Sequence, residues 1–204
     1  MIEIIKENWT SILKFGLPMV ISTASLIVSY TTYRNNKKNL DVTLEPKLTK
    51  IPGIYTGETY IQNDDGMYMC YLKVVNPSSS DIGYFDLRVI DTAEPNNSLP
   101  VYNELTLKRH FPDVTYFEYP SSIGLANLNA PPSNYGVFES NSYTRLDIPF
   151  TPNPDTKTVI VTFKVAIKSR KENPYANDRK KFKYYSATYK LDTDLESQFD
   201  TVIS

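Results

Sequence analysis

Cysteine is almost missing from this chain: Cys70 stands alone. One thiol closes no intrachain disulfide, so a disulfide scaffold is excluded and packing must hold the fold. Histidine is equally scarce, with His110 alone. One His and one Cys exclude an ordinary zinc site. Seven glycines leave little material for a phosphate-cradling loop, and neither a P-loop nor a G-x-G-x-x-G occurs. No G-x-S-x-G nucleophile turn is present either. Catalysis needs convergent groups, and the remaining candidates do not converge in sequence. His110 sits beside Arg109 in a proline-rich stretch with no nucleophile motif nearby. Cys70 alternates with apolar residues and reads as a buried, inert thiol. Asp64 and Asp65 beside Gly66 lack the alternating carboxylates of a calcium loop and read as a hairpin turn. Asp86 and Asp91 read as outward positions or strand ends. No catalytic residue, cofactor or metal is expected.

Strong charge of one sign is also lacking overall, with a net charge of −1. The layout is uneven, however. Residues 1–38 hold Lys6, Lys14, Arg34, Lys37 and Lys38 against Glu3 and Glu7, so of 22 bases and 23 acids the rest keeps 17 and 21, a net of −4. A mildly acidic chain beyond residue 38 is a poor nucleic-acid binder.

What is abundant is aromatic: 16 Tyr and 9 Phe, with 14 Pro against the few Gly. Tyr and Phe suit half-buried pleated surfaces, which leans the chain toward strands. The long hydrophobic run is Phe15–Tyr33, FGLPMVISTASLIVSYTTY, which carries no charge. As a helix it spans about 28 Å at ~1.5 Å per residue, close to a bilayer core of about 30 Å. Trp9, Tyr30 and Tyr33 flank it as interfacial aromatics do. Pro18 falls in the first turn, where a missing N–H costs little. A cleaved signal peptide fits less well. Glu3 and Glu7 offset the bases ahead of the run, and no small-x-small site follows it. The expectation is an uncleaved single-pass membrane helix. Arg34, Lys37 and Lys38 crowd its C-terminal flank, with Lys47 and Lys50 beyond. Positive flanks stay inside, so the expected topology is N-out, C-in, with the domain in the cytoplasm.

From residue 39 the hydrophobic period becomes two. Leu40, Val42 and Leu44 alternate with polar neighbours, as do Tyr68, Cys70, Leu72 and Val74. Phe85, Leu87 and Val89 share a face, and so do Leu146, Ile148 and Phe150. Val159, Val161, Phe163, Val165 and Ile167 make the longest run, and Tyr185, Ala187, Tyr189 and Leu191 the last. Tyr55–Gln62 adds a strand, and Asn63-Asp64-Asp65-Gly66 a hairpin turn. Six or seven such strands predict a mainly β fold, an immunoglobulin-like antiparallel sandwich. Residues 93–134, rich in proline, interrupt the pattern as either a functional loop or a decorated crossover. The organisation is thus 1–38 tail, membrane helix and basic flank; 39–191 β-sandwich; 192–204 acidic tail. In the tail Leu195, Phe199 and Val202 fall at spacings of four and three.

One cluster stands out. Between residues 164 and 183 lie Lys164, Lys168, Arg170, Lys171, Arg179, Lys180, Lys181 and Lys183 against Glu172 and Asp178, a net of +6. Residues 171–178 read as a hairpin loop, so these bases crowd one end of the sandwich. They either protect a strand edge or contact anionic lipid, at about 1 kcal/mol per base near a negative surface, with nucleic-acid binding a weaker third reading because the rest of the chain is acidic.

Ile4-Ile5-Lys6-Glu7-Asn8-Trp9 ahead of the apolar run, with Thr32-Tyr33-Arg34-Asn35-Asn36-Lys37-Lys38-Asn39-Leu40 after it, resembles uncharacterised single-span membrane-anchored β-sandwich proteins of Gram-positive bacteria or their prophages. The stretches 141–150 (NSYTRLDIPF) and 159–167 (VIVTFKVAI) are similar to the later strands of such sandwiches. The resemblance implies a bacterial or prophage origin and no activity, and it carries over no functional residue. The functional expectation is a non-catalytic, membrane-tethered module binding a protein partner at the inner membrane face. The alternative is an outward-facing sandwich for adhesion or phage superinfection exclusion.

Overall fold

The structure is a computed structural model that describes residue 9 and residues 12–35, 38–57, 59–176 and 180–191. A π-helical turn, Ile12–Gly16, runs directly into helix α1, Leu17–Asn35. Pro18 accounts for the joint. It has no N–H, and its ring crowds the carbonyl four residues back, so the turn before it widens. The helical run therefore opens at Ile12, ahead of the apolar stretch. Two hydroxyls inside the run are satisfied within the helix: Thr23 donates to the Met19 carbonyl (2.8 Å) and Thr31 to that of Ile27 (3.0 Å). Lys14–Tyr33 is long and apolar enough to cross a membrane, with a mean hydropathy of 1.3, and none of it is buried.

Ten strands follow among the described residues: β1 Asp41–Leu44, β2 Thr49–Thr56, β3 Thr59–Asn76, β4 Ile82–Asp91, β5 Glu118–Ser121, β6 Gly124–Asn127, β7 Gly136–Phe138, β8 Ser142–Phe150, β9 Thr158–Lys168 and β10 Phe182–Lys190. They form two antiparallel sheets packed as a sandwich. One holds β1, β2, β3, β5, β6 and β8; the other runs β10-β9-β4-β7. β3 is the spine of the first. Along one edge it pairs with β1 (Val74 opposite Val42) and then β2 (Met69 opposite Thr49); along the other it pairs with β8 (Leu72 opposite Leu146). β5 and β6 extend the sheet beyond β2.

Period two decides what each face of β3 meets. Cys70, Leu72 and Val74 point at the second sheet and join Ile148, Phe150, Val161, Phe163 and Val165 in the main core. Met67 and Met69 point the other way, and that face is covered too. The proline-rich segment returns across it and supplies Leu107, Phe117, Tyr119 and Leu128 to a second core with Ile51 and Ile54. Leu107 comes from a short helix, α2, Glu104–His110. A capping box starts it: Asn103 Oδ1 accepts from the Thr106 N–H and Thr106 Oγ1 from the Asn103 N–H, both at 2.9 Å.

Three local expectations change. Tyr55–Gln62 is not one strand, since the chain reverses at Gly57 (φ 64) between β2 and β3. Asn63–Gly66 is not a turn, since β3 runs through it. Ile51 pairs with Met67 and Gly53 with Gln62, so four residues bulge opposite Pro52 alone. Pro52 cannot donate to the ladder, so pairing lapses there, and the positive φ of Gly66 (79) serves the bulge. In β4 the register shifts between Phe85 and Arg88, with Asp86 at φ 56. Phe85 is thereby turned from the core and meets Phe182 edge-on at 5.2 Å, while Tyr84, Leu87 and Val89 point inward.

Candidate interaction surfaces

Groups with catalytic potential lie apart. His110 is exposed at the C-terminal end of α2. Cys70 is buried in the main core, its Sγ 3.2 Å from Tyr189 Oη, and burial pushes the thiol up to about 11. Asp91 is buried rather than outward: it accepts from Thr156 Oγ1 (2.6 Å) and from the Ala93 N–H (2.9 Å). Among the described residues no three His, Cys, Asp or Glu side chains come together as metal ligands.

The basic segment between β9 and β10 builds a surface. Ser169 N–H donates to the Lys181 carbonyl (3.1 Å), which closes the loop at its base. Asn173 then turns inward and is buried. Its Nδ2 donates to Thr162 Oγ1 (3.1 Å), its Oδ1 accepts from the Tyr175 N–H (3.0 Å), and Arg88 donates to the Tyr175 carbonyl (3.3 Å). The loop so pinned folds back over the outer face of β9. One expected member of the cluster is missing from the surface: Lys164 is fully buried, its Nζ 3.9 Å from Asp86 Oδ2. Lys168, Arg170, Lys171, Lys180 and Lys181 are exposed, with Glu172 3.6 Å from Lys181. Lys183 is half-buried, its ammonium 5.0 Å above the Tyr185 ring. Arg179, Lys37 and the Arg34 side chain lie outside the described residues, as does the 192–204 tail. Lys38 is exposed.

The hairpin stands at a definite end of the sandwich. Tyr185 Oη donates to the carbonyl of Leu40 (3.2 Å), the first core residue after α1. From Asn35 to Leu40 the chain can span no more than about 18 Å. The base-rich loop, which precedes Tyr185 in β10, therefore shares the end at which the chain arrives from the helix.

A second basic surface, which sequence reading missed, lies farther along β1 and β10. Tyr189 Oη donates to the Glu45 carbonyl (2.8 Å), tying the 45–48 loop to the end of β10. On one side of that loop is a cleft of about 490 Å³ lined by Glu45, Lys47, Thr49, Tyr71, Lys73 and Arg145. On the other is one of about 450 Å³ lined by Lys47, Lys50, Tyr68, Thr188 and Lys190. Lys47 borders both. Arg145 is held in place from behind. Its Nε donates to Asp147 Oδ1 (2.9 Å), its Nη2 to Tyr119 Oη (3.3 Å), and its guanidinium stands 4.9 Å above the Tyr71 ring. Asp147 is fully buried, and Oδ2 accepts from the Asn129 N–H (3.0 Å). Burial raises the Asp147 carboxyl above its ordinary range, against the pull of Asn129 and Arg145. Burial and the Tyr119 hydroxyl push the Tyr71 phenol up to about 12, so it is a neutral wall. Glu45, the lone acid among the described lining residues, is paired with Lys73. These side chains come from β1–β2, β3, β8 and β10, and no local run of bases announces them.

Comparison with known proteins adds no assignment: no family model matches the chain, and no curated protein or solved structure matches it.

Proposed function

We propose that this chain is a non-catalytic, single-pass membrane module whose β-sandwich lies at the inner face of the membrane and binds a protein partner there. The observation that carries the reading is the shared end. The exposed bases of the β9–β10 hairpin stand where the chain arrives from the apolar span Lys14–Tyr33, itself followed by Arg34, Lys37 and Lys38. Lys168, Arg170, Lys171, Arg179, Lys180, Lys181 and Lys183 then meet anionic headgroups and limit the orientations of the tethered domain. Surface charges act over roughly 8 Å at physiological ionic strength, so the effect requires this end and no other.

A reporter fused after Ser204 and active on only one side of the membrane tests the topology. Activity on the cytoplasmic side is expected. Activity outside overturns the reading and leaves the outward-facing sandwich, acting in adhesion or superinfection exclusion. The lipid contact has its own measurement: amine-labelling rates in bilayer discs. Lys168, Lys171, Lys180 and Lys181 are expected to label several-fold more slowly with phosphatidylglycerol present than with phosphatidylcholine alone, and salt is expected to abolish the difference. Equal rates in the two lipids reject the contact.

A further inference from the structure

The paired clefts have a candidate occupant close by. Among the described residues that line them are five bases, Lys47, Lys50, Lys73, Arg145 and Lys190, against Glu45, which is already paired. That concentration of positive charge stands on a domain, residues 39–191, whose 17 bases and 17 acids otherwise balance. Arg145 makes no further hydrogen bond through Nη1 among the described residues, while Asp147, Tyr119 and Tyr71 fix the rest of its guanidinium. A guanidinium fixed in this way is pre-organised for a carboxylate and loses little entropy on pairing.

The described chain ends near the rim, and the sequence after it is rich in carboxylates. Lys190 lines the second cleft, and Leu191 N–H donates to the Lys157 carbonyl (2.8 Å), so the chain is held up to residue 191. The next thirteen residues, 192–204, contain Asp192, Asp194, Glu196 and Asp200 and no base. Thirteen residues reach up to about 40 Å when extended. The Tyr189–Glu45 hydrogen bond puts the exit of this segment beside the 45–48 loop that separates the clefts. Tethering gives the segment an effective concentration in the millimolar range at that surface, so individually weak ion pairs are enough for occupancy. We propose that the joined clefts around Lys47 are a docking groove for the chain's own acidic C-terminal segment. A segment so docked covers Lys47, Lys50 and Arg145 and keeps other acidic chains from them. This inference does not depend on the side of the membrane or on the lipid contact, because the clefts lie about 13 Å farther along the strands than the hairpin end.

The test uses the full chain in detergent micelles, with zero-length carbodiimide coupling of carboxylates to amines and mapping of the joined peptides. Intrachain links from Asp192, Asp194, Glu196 or Asp200 to Lys47, Lys50 or Lys73 are expected, several-fold weaker in 0.5 M salt. A K47E/K50E chain is expected to lose the links to those two positions. Replacing the four tail acids by lysine in that background is expected to restore links with the roles exchanged. Links spread evenly over remote amines such as Lys108 and Lys171 overturn the proposal. So do links that mixed-isotope samples show to join two copies. A chain ended after Leu191 gives a second readout. Lys47 and Lys50 are expected to label several-fold faster there, with Lys108 unchanged, and unaltered rates at Lys47 and Lys50 again overturn the proposal.

Discussion

Cys70 and Asn76 lie six residues apart on β3, both without exposed surface, and fail in different ways when disturbed. The Cys70 thiol is pushed up to about 11 by burial, with the Tyr189 hydroxyl opposing. A thiol-specific reagent at pH 8 is therefore expected to leave the folded chain unlabelled and to react fully in denaturant. The same shift sets a pH dependence. The unfolded thiol titrates near 9 and the folded one near 11. Its contribution is therefore intact below pH 9 and lost as pH rises through 11, at most about 2–3 kcal/mol. Tyr84, also pushed up to about 12 by burial, acts in the same sense from pH 10 upward. Urea midpoints at pH 8 and pH 11 are expected to converge partly in Cys70→Ala. Asn76 instead works as a clamp. Its Nδ2 lies 3.1, 3.0 and 2.9 Å from the carbonyls of Ser80, Phe138 and Glu139, and its Oδ1 accepts from the N–H and hydroxyl of Ser78. Asn76→Ala strands these groups in a buried place and is expected to cost about 2–4 kcal/mol in chemical denaturation.

At the scale of elements, the glycines of β2 and β4 make a matched pair. A Cβ on Gly53 would meet the Ile61 carbonyl oxygen at 2.4 Å, whereas on Gly83 the nearest atoms are at 3.8 Å. Gly53→Ala is expected to lower stability by about 2–3 kcal/mol and Gly83→Ala by less than about 1, with thermal unfolding as the check. The constraint at Gly53 belongs to the bulge facing Pro52, which alternation alone does not reveal. Where strands pair regularly, the sequence was readable: β1, β8, β9 and β10 carry their inward residues at strict spacings of two. Reading failed where pairing is interrupted. An Asp-Gly pair fits a hairpin and a bulge equally well, and the partner residue, Pro52, decides between them. It failed again in residues 93–134, whose apolar residues make sense only against Met67 and Met69 on a distant strand. The basic hairpin was legible because its charges are neighbours in sequence, except Lys164, which is buried in β9 beside Asp86. The Arg145 clefts were not, because four separate segments assemble them.

Taken whole, the molecule puts one 18-residue strand to two uses. β3 gives alternate side chains to the main core and to the core under the proline-rich segment. Two adjacent cores in one chain often melt one after the other. Here the strand that leaves the first must also abandon the second, since a backbone cannot be ordered toward one neighbour and random toward the other. The sandwich and its covering segment are therefore a single cooperative unit. Calorimetry of the domain is expected to give one transition with equal calorimetric and van't Hoff enthalpies. Leu107→Ala in the second core and Phe163→Ala in the first are both expected to shift that one peak downward, by about 2–5 kcal/mol each, without splitting it. An early shoulder in Leu107→Ala would mean that the covering segment detaches by itself. Otherwise the proline-rich stretch, with few regular elements of its own, has the thermal lifetime of the strand that both cores share.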